Sequence, residues 1–265
     1  MQTIEKQRRS AYLRSIDDRL NVAVIRASGG TGAALTDMLF REIPGATVHA
    51  FARRPLTDIP DTVKAWEIEL ENESLIADAA RRVRQYKAPL GTVFVNTGLL
   101  HDGETAQPEK SWRALNAYSL EQAFRINTIG PALVAKHFLP LMRRSGKSVF
   151  ACLSAGVGSM EDNRLGGWHA YRASKAALNM IIKTLSIELS RRNPKVICVG
   201  LHPGTIDTDM SRPFQGNIRP EKLFTPKRAS EALLSVVDDL TVSDSGNFLR
   251  GMDRSFPISG VYRGW

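Results

Sequence analysis

The stretch that decides the fold is VAVIRASGGTG, which runs from Val22 to Gly32. Its first four residues are apolar and mostly β-branched, which indicates a strand buried on both faces. The glycines that follow permit a tight turn, and the pattern from Ala33 to Ile43 predicts a helix. A buried strand, a glycine-rich turn and a helix in this order are typical of the first unit of a parallel α/β sheet.

The same alternation of apolar strands and helices continues along the chain. Further strands are predicted at Thr47–Phe51, Val63–Leu70, Thr92–Val95, Ser148–Leu153, Val196–Leu201 and Asn247–Leu249. Helices are predicted at Ser74–Tyr86, Leu120–Met142, Tyr171–Arg191 and Pro226–Leu240. The predicted fold class is α/β, a single-domain doubly wound parallel sheet with helices on both faces. Ligands of such a sheet bind beyond the carboxyl ends of its strands.

Composition narrows the class of protein and its compartment. No stretch approaches ~18 apolar residues and the N-terminus lacks the apolar core of a signal peptide, so no membrane partner is expected. Cys152 and Cys198 lie in predicted core strands and cannot form a disulfide framework, which favours the cytoplasm. The histidines show no paired metal-ligand spacing, so no metal is predicted. Residues 1–20 are polar and predict a basic N-terminal arm ahead of one domain at 21–265.

The chain carries 36 Lys+Arg against 27 Asp+Glu, a net charge of +9. Such a charge suits nucleic acid, an anionic surface or a phosphate-rich small ligand. No aromatic stacking platform or nucleic-acid motif is present, so a nucleic-acid partner is not expected. Several basic pairs lie in predicted helices, and we read all of them as exposed to solvent except Arg53-Arg54, which follows the second strand.

The residues that follow the first and second predicted strands are suited to binding a dinucleotide. The turn from Ser28 to Gly32 offers free N–H groups and the positive end of a helix dipole to a pyrophosphate, although an ordinary glycine turn is the alternative. After the second strand, dinucleotide folds place an acid for the ribose hydroxyls or an arginine for a 2′-phosphate. We read Arg53, with Arg54 in reserve, as a preference for NADP(H) over NAD(H), against the alternative of two surface arginines.

Tyr171 and Lys175 are four residues apart, which places them on one face of the predicted helix. A free tyrosine has a pKa of about 10, and a neighbouring ammonium would lower it by stabilising the phenolate. Such a pair can move a hydroxyl proton while a hydride is transferred. This spacing often means only an exposed helix face, and its value here comes from Ser154, which follows the fifth strand.

These residues resemble the short-chain dehydrogenase/reductase family, which implies a Rossmann-type fold. The resemblance runs from Asn21 to the end of the chain, and the stretches Asn163 to Asn179 and His202 to Phe214 are similar to the C-factor-like branch, which includes small carbonyl reductases. The matching motifs, in chain order, are the turn Ser28-Gly29-Gly30-Thr31-Gly32, Asn96-Thr97-Gly98, Asn127, Ser154, Tyr171 with Lys175, and Pro203-Gly204-Thr205-Ile206-Asp207-Thr208.

The resemblance implies a role for each motif. Tyr171 would be the general acid–base, Lys175 would lower its pKa and hold the nicotinamide ribose, and Asn127 would position a water in a proton relay. The cofactor would be lined by Asn96 and Gly98 beside the adenosine, and by Pro203, Gly204, Ile206 and Thr208 beside the nicotinamide. Glu69 would lie near the adenine.

The expected activity is NADP(H)-dependent hydride transfer between nicotinamide and a small carbonyl or alcohol substrate. A dinucleotide-binding regulator with little turnover is the alternative. A homodimer or homotetramer formed through the two long helices is expected from the resemblance alone.

Two departures from the family pattern leave questions open. Arg26 replaces the first glycine of the turn, where its side chain would crowd the cofactor, point away or add a cation; we expect binding to survive. Ser154-Ala155 stands where the family usually has two serines, with the second one catalytic. Ser154 is therefore the expected catalytic serine, with Ser159 as its alternative.

The late loop from Leu201 to about Phe224 is long and suits a lid over substrate. Trp168 and Met210 either border the substrate space or serve packing.

Overall fold

The computed structural model describes residues 12–16, 20–43, 45–54, 56–57, 59–103 and 107–250. Its strands are β1 (Asn21–Ile25), β2 (Thr47–Ala52), β3 (Val63–Glu67), β4 (Thr92–Val95), β5 (Ser148–Leu153), β6 (Val196–His202), β7 (Thr205–Ile206), β8 (Leu223–Phe224) and β9 (Phe248–Arg250). Its α-helices are α1 (Gly30–Glu42), α2 (Glu73–Gln85), α3 (Ala117–Phe124), α4 (Gly130–Phe138), α5 (His169–Arg192) and α6 (Pro226–Asp239).

Seven strands form one parallel sheet in the order β3-β2-β1-β4-β5-β6-β9, and β7 pairs with β8 separately. The order reverses between β1 and β4, which makes the sheet doubly wound and confirms the predicted Rossmann-type class. Ile25 at the end of β1 lies in register with Val95 at the end of β4. The turns after these two strands therefore flank one crevice, where doubly wound sheets bind their ligands.

Alternate residues of the strands enter two cores, one on each face of the sheet. Val22 and Val24 of β1 pack on the face that also buries Leu35 of α1 and Leu233 of α6. Ile25 packs on the opposite face, in the cluster that holds the buried residues of α2, α4 and α5. Because both faces are covered, the central strands are apolar throughout. Cys152 and Cys198 are buried free thiols within this core, as predicted.

The long helix predicted at Leu120–Met142 is present as an unbroken helical segment, but it is not α-helical throughout. The segment is divided into α3, a π-helical turn at Arg125–Ile129, α4 and a 3₁₀ turn at Leu139–Leu141. The π turn includes Asn127, whose amide bonds outside the helix, and such turns are frequent at functional sites. The 3₁₀ turn contains Pro140, which cannot donate to a continuing helix.

Most of the predicted arm lies outside the described residues. In the part that is described, Leu13, Ile16 and Leu20 are buried in the core on the α1 side. These three side chains belong to the packed domain, and the boundary after residue 20 stays a prediction. Within the described residues, no helix combines the length and the apolarity needed to cross a bilayer.

Candidate active site

The turn after β1 is tight at its backbone. Arg26 has a φ of 63°, in the left-handed region that favours glycine. A Cβ on Gly32 would lie 2.2 Å from the carbonyl oxygen of Arg26, so a side chain at position 32 has no room. The turn therefore keeps its last glycine for steric reasons, while an arginine occupies the bend itself.

The Arg26 side chain runs across the crevice between the turns that follow β1 and β4. A Cβ built on Gly29 would lie 3.9 Å from Cγ and Nε of Arg26, and Nη1 of Arg26 donates a short hydrogen bond to the carbonyl oxygen of Gly98. Burial lowers the pKa of Arg26, and the nearby charge of Arg53 lowers it further. Of the three placements considered from sequence, the structure shows the side chain inside the crevice and not pointing away.

Arg53 and Arg54 are exposed at the carboxyl end of β2. Neither Arg53 nor Arg26 has an acidic side chain within salt-bridge distance in the described part of the chain. Glu69, expected near the adenine, is partly exposed in the segment after β3. The edge of the crevice at β2 is consequently cationic.

The segment after β4 presents unpartnered polar atoms. Asn96 is only 8% exposed and Thr97 only 3% exposed, yet among the described residues neither the amide of Asn96 nor the hydroxyl of Thr97 has a hydrogen-bond partner. Buried polar groups are usually satisfied, so these atoms indicate a ligand or solvent in the crevice.

Asn127 is hydrogen-bonded to Leu99, which follows Gly98 in the same segment. Its side chain accepts from Leu99 N at 2.7 Å and donates to Leu99 O at 2.9 Å. It also donates to Ser174 Oγ at 3.0 Å, and that hydroxyl donates to the carbonyl of Tyr171 at 2.9 Å. Asn127 therefore ties the end of β4 to the first turns of α5. Its role in a proton relay stays a prediction.

Tyr171 and Lys175 project from the start of α5 toward the crevice. Nζ of Lys175 lies 5.9 Å from the centre of the Tyr171 ring and donates to Thr97 O at 3.1 Å and Leu153 O at 2.8 Å. Burial lowers the pKa of Lys175 to about 7, and the charge of Arg26 acts in the same direction. Burial also raises the pKa of Tyr171 to about 12, so the expected lowering is not present in this arrangement.

The loop after β6 covers this arrangement. A Cβ on Gly30 would lie 2.7 Å from Cγ2 of Thr208, and one on Gly98 would lie 3.1 Å from Cε of Met210. Pro203 and Ile206 are buried and Gly204 is partly buried in the same loop. The turn after β1, the end of β4 and the late loop are thus in mutual contact, and the lid function of this loop stays a prediction.

An aromatic wall stands beside Tyr171. The ring of Trp168 lies 6.4 Å from that of Tyr171 and 5.1 Å from that of Phe214 in the late loop. His101 lies 5.6 Å from Phe214, and its Nε2 is 3.0 Å from the carbonyl oxygen of Met210. We call Trp168, Phe214 and His101 the aromatic wall. Sequence analysis singled out Trp168 and Met210 but gave no signal for the pairing with His101 and Phe214.

A family model described as "short chain dehydrogenase" matches residues 21–218, which include every motif of this site. The chain belongs to the short-chain dehydrogenase/reductase family. It is accordingly an oxidoreductase of the short-chain type, and the seven-stranded sheet described above is the expected frame for it.

The chain is also similar to curated proteins and to a solved structure. An uncharacterized oxidoreductase of Schizosaccharomyces pombe is 29% identical over 248 residues, covering 84% of this chain and 93% of the relative. C-signal of Myxococcus xanthus is 35% identical over 129 residues, covering 49% of this chain and 72% of that protein. The structure of NADPH-bound carbonyl reductase from chicken fatty liver superposes with a TM-score of 0.76 at 24% identity, covering 95% and 97% of the two chains. At that identity the structural likeness shows the fold.

The two candidate catalytic serines of this short-chain dehydrogenase form hydrogen bonds with residues other than Tyr171. Ser154 is 5% exposed and its Oγ donates to Oδ1 of Asn179 at 2.7 Å, two turns further along α5. Ser159 accepts from the backbone N–H of Asp162 at 3.2 Å. Neither hydroxyl is hydrogen-bonded to Tyr171 among the described residues, so the identity of the catalytic serine stays a prediction.

Glu109 contributes to this site, although the sequence analysis did not identify it. It is 4% exposed, its Oε2 accepts from the N–H of Ala170 at 3.2 Å, and its carbonyl accepts from the N–H of Trp168 at 2.6 Å. A carboxylate at a helix N-terminus satisfies free N–H groups and interacts favourably with the dipole. Glu109 therefore fixes the start of α5, from which Tyr171 projects, and no spacing in the sequence links it to that helix.

Proposed function

We propose that this chain is an NADP(H)-dependent oxidoreductase that interconverts a carbonyl and an alcohol, with Tyr171 as the general acid–base. The observation that carries the proposal is the position of Lys175, whose buried ammonium lies beside the Tyr171 ring at the carboxyl edge of the sheet. When bound, the nicotinamide supplies or accepts the hydride.

The residues of the crevice fit a nicotinamide dinucleotide. The unpartnered buried atoms of Asn96 and Thr97 suit the polar groups of the adenosine half. The N-terminus of α1 and the glycine turn suit the diphosphate. Arg53 suits a 2′-phosphate because no described acidic side chain pairs with it, and the NADPH named for the carbonyl reductase relative supports the same preference.

The protein's part in the reaction is to hold the substrate oxygen and move one proton. In the reducing direction Tyr171 Oη would donate its proton to that oxygen, and in the oxidising direction it would accept one. Lys175 would favour the phenolate when its ammonium is charged. Ser154, if released from Asn179, or Ser159 would hydrogen-bond the same oxygen.

The aromatic wall supports an apolar, ring-containing carbonyl substrate. Trp168 and Phe214 present edges and faces next to Tyr171, and aromatic pairs gain about 0.5–1.5 kcal/mol beyond simple burial. The substrate is a small molecule, and the reacting oxygen must approach Tyr171 along this wall.

Replacement of Tyr171 by Phe tests the proposal. We expect kcat with NADPH and an aromatic ketone to fall by about 10²–10⁴, while the affinity for NADPH stays the same, because only the proton donor is removed. Tyr118→Phe is the matched control, since Tyr118 is 52% exposed on α3. Equal turnover in the wild type and Tyr171→Phe would refute the assigned role.

A dinucleotide-binding regulator is the second candidate. C-signal carries a name from signalling, and the raised pKa of Tyr171 and the Ser154–Asn179 bond are both unfavourable for proton transfer. NADPH binding without reduction of any carbonyl in a broad panel would favour this candidate over the enzyme.

Self-association through the helices is also proposed. Tyr118 on α3, Ile129 on the π turn and Ile187 on α5 are large apolar side chains that are about half exposed. Light scattering of the purified chain should give the mass of a homodimer or homotetramer. A monomer at micromolar concentration would reject this proposal.

A further inference from the structure

The Arg26 guanidinium and the Lys175 ammonium donate to the adjacent carbonyls of Gly98 and Thr97. The charge of Arg53 also acts on Arg26, and the charge of Arg26 acts on Lys175. Repulsion among these three basic groups is unfavourable without an anion, and no described carboxylate pairs with Arg26 or Arg53. This group of basic side chains is complementary to a ligand with several phosphates.

The present partner of Arg26 is a neutral one. Its Nη1 donates to the carbonyl of Gly98, on the far side of the crevice, and its stem passes over Gly29 at the start of α1. A diphosphate seated on the N-terminus of α1 would meet this guanidinium directly. A charge-assisted bidentate bond to phosphate is stronger than a bond to a backbone carbonyl.

We propose that Arg26 is a latch that spans the crevice to Gly98 and exchanges that carbonyl for the diphosphate of the dinucleotide. The inference rests on the proposed function for its ligand. It adds a phosphate-binding residue at the position where the glycine motif has an arginine. It also assigns the two arginines different ligands. Arg26 would bind the diphosphate that both cofactors contain, and Arg53 would bind the 2′-phosphate of NADPH.

Fluorescence titration of the full chain with NADPH and with NADH tests this division. Arg26→Gln keeps a long side chain with a comparable backbone preference, and we expect it to weaken both cofactors by about tenfold or more. We expect Arg53→Gln to weaken NADPH alone. Arg191→Gln, an exposed charge near the end of α5, is the charge-matched control and should change neither affinity.

Adenosine 5′-diphosphate separates the phosphate contact from the nicotinamide and the 2′-phosphate. It should raise the thermal unfolding midpoint of the wild type, and Arg26→Gln should lose most of that rise. The Arg26→Lys variant should retain part of it, because the charge remains while the planar fork is lost. Because the midpoint of each variant is also measured without ligand, a folding defect is visible separately.

Several outcomes would overturn the latch. Unchanged or tighter binding of both cofactors in Arg26→Gln would do so, and a loss confined to NADPH would assign Arg26 to the 2′-phosphate instead. Binding that appears only in Arg26→Gly would mean that the arginine blocks the crevice. If neither the wild type nor Arg26→Gly binds, the cofactor site fails together with the latch. Binding without turnover counts against the proposed activity alone.

Discussion

Lys175 points its ammonium at two backbone carbonyls and not at the hydroxyl of Tyr171, although its Nζ lies 5.9 Å from the centre of that ring. The carbonyls belong to Thr97 after β4 and to Leu153 at the end of β5. The lysine thereby joins α5 to the carboxyl edge of the sheet. In this arrangement the phenol has no described hydrogen-bond partner, and its pKa is raised by burial to about 12.

The stability of the ligand-free protein should depend on the titration of Lys175. Burial lowers its folded-state pKa from 10.5 to about 7, so above pH 7 the unfolded chain binds a proton that the folded chain lacks. The free energy of unfolding should therefore rise with pH above 7, by at most about 1.4 kcal/mol per pH unit. Urea unfolding at pH 7 to 8.5 gives the free energies of unfolding of the wild type and of Lys175→Met. The value for the wild type minus the value for Lys175→Met should increase with pH.

Other buried groups also titrate in this comparison. Burial raises the folded-state pKa of Tyr171 from 10.0 and that of Cys152 from 9.0, both to about 12, so each group reduces stability as the pH approaches its unfolded-state pKa. Both groups are present in the wild type and in Lys175→Met, so the difference between the two proteins reports the lysine. A pH-independent difference between the wild type and Lys175→Met would show that the lysine stays charged in the folded protein.

The backbone conformation of Arg26 predicts the relative stabilities of the glycine and alanine variants at this position. Both Arg26→Gly and Arg26→Ala remove the guanidinium and its bond to Gly98, so their difference reports the backbone alone. With a φ of 63°, glycine should be more stable than alanine by about 1 kcal/mol, the reverse of the usual order. Thermal or urea unfolding measures the pair, and a more stable alanine variant would contradict the left-handed conformation.

Gly32 should be the least replaceable residue of the turn after β1. In Gly32→Ala the new Cβ would lie 2.2 Å from the backbone oxygen of Arg26, which cannot move without opening the turn. We expect loss of dinucleotide binding and a destabilisation of several kcal/mol. Gly216→Ala is the control, since its Cβ would meet nothing within 4 Å. Similar stability of the two variants would be incompatible with the turn described.

The loss of stability in Gly30→Ala should lie between the losses in Gly32→Ala and Gly216→Ala. Its Cβ would lie 2.7 Å from the Thr208 methyl group, a side-chain atom that can shift. The expected cost is a displaced late loop and weaker substrate binding, with the fold retained.

The aromatic wall should govern substrate affinity and leave cofactor affinity alone. Phe214→Ala removes the ring that packs 5.1 Å from Trp168, and we expect KM for an aromatic ketone to rise about tenfold. The affinity for NADPH should stay within about twofold. Leu165→Ala, at a residue that is 92% exposed and shortly before Trp168 in the sequence, is the control for loss of an apolar side chain. An unchanged KM in Phe214→Ala would exclude the wall from the substrate site.

The sequence by itself determined the features that depend on local pattern. Apolar β-branched runs formed the central strands because a sheet covered on both faces needs apolar residues on each side. The spacing of Tyr171 and Lys175 placed both on one helix face, since four residues make about one turn. The long helix after β4 was predicted, but its π turn was not, because periodicity does not register such a turn, at which Asn127 contacts Leu99 and Ser174.

Only the tertiary structure decided which side chains meet across the crevice. Arg26 and Gly98 are 72 residues apart and become neighbours because β1 pairs with β4. Ser154 turned to Asn179, and Glu109 came to the start of α5, through the packing of separate elements on the sheet. A partner that is set by strand order and helix docking leaves no periodic trace along the chain, so residue type and spacing alone do not reveal it.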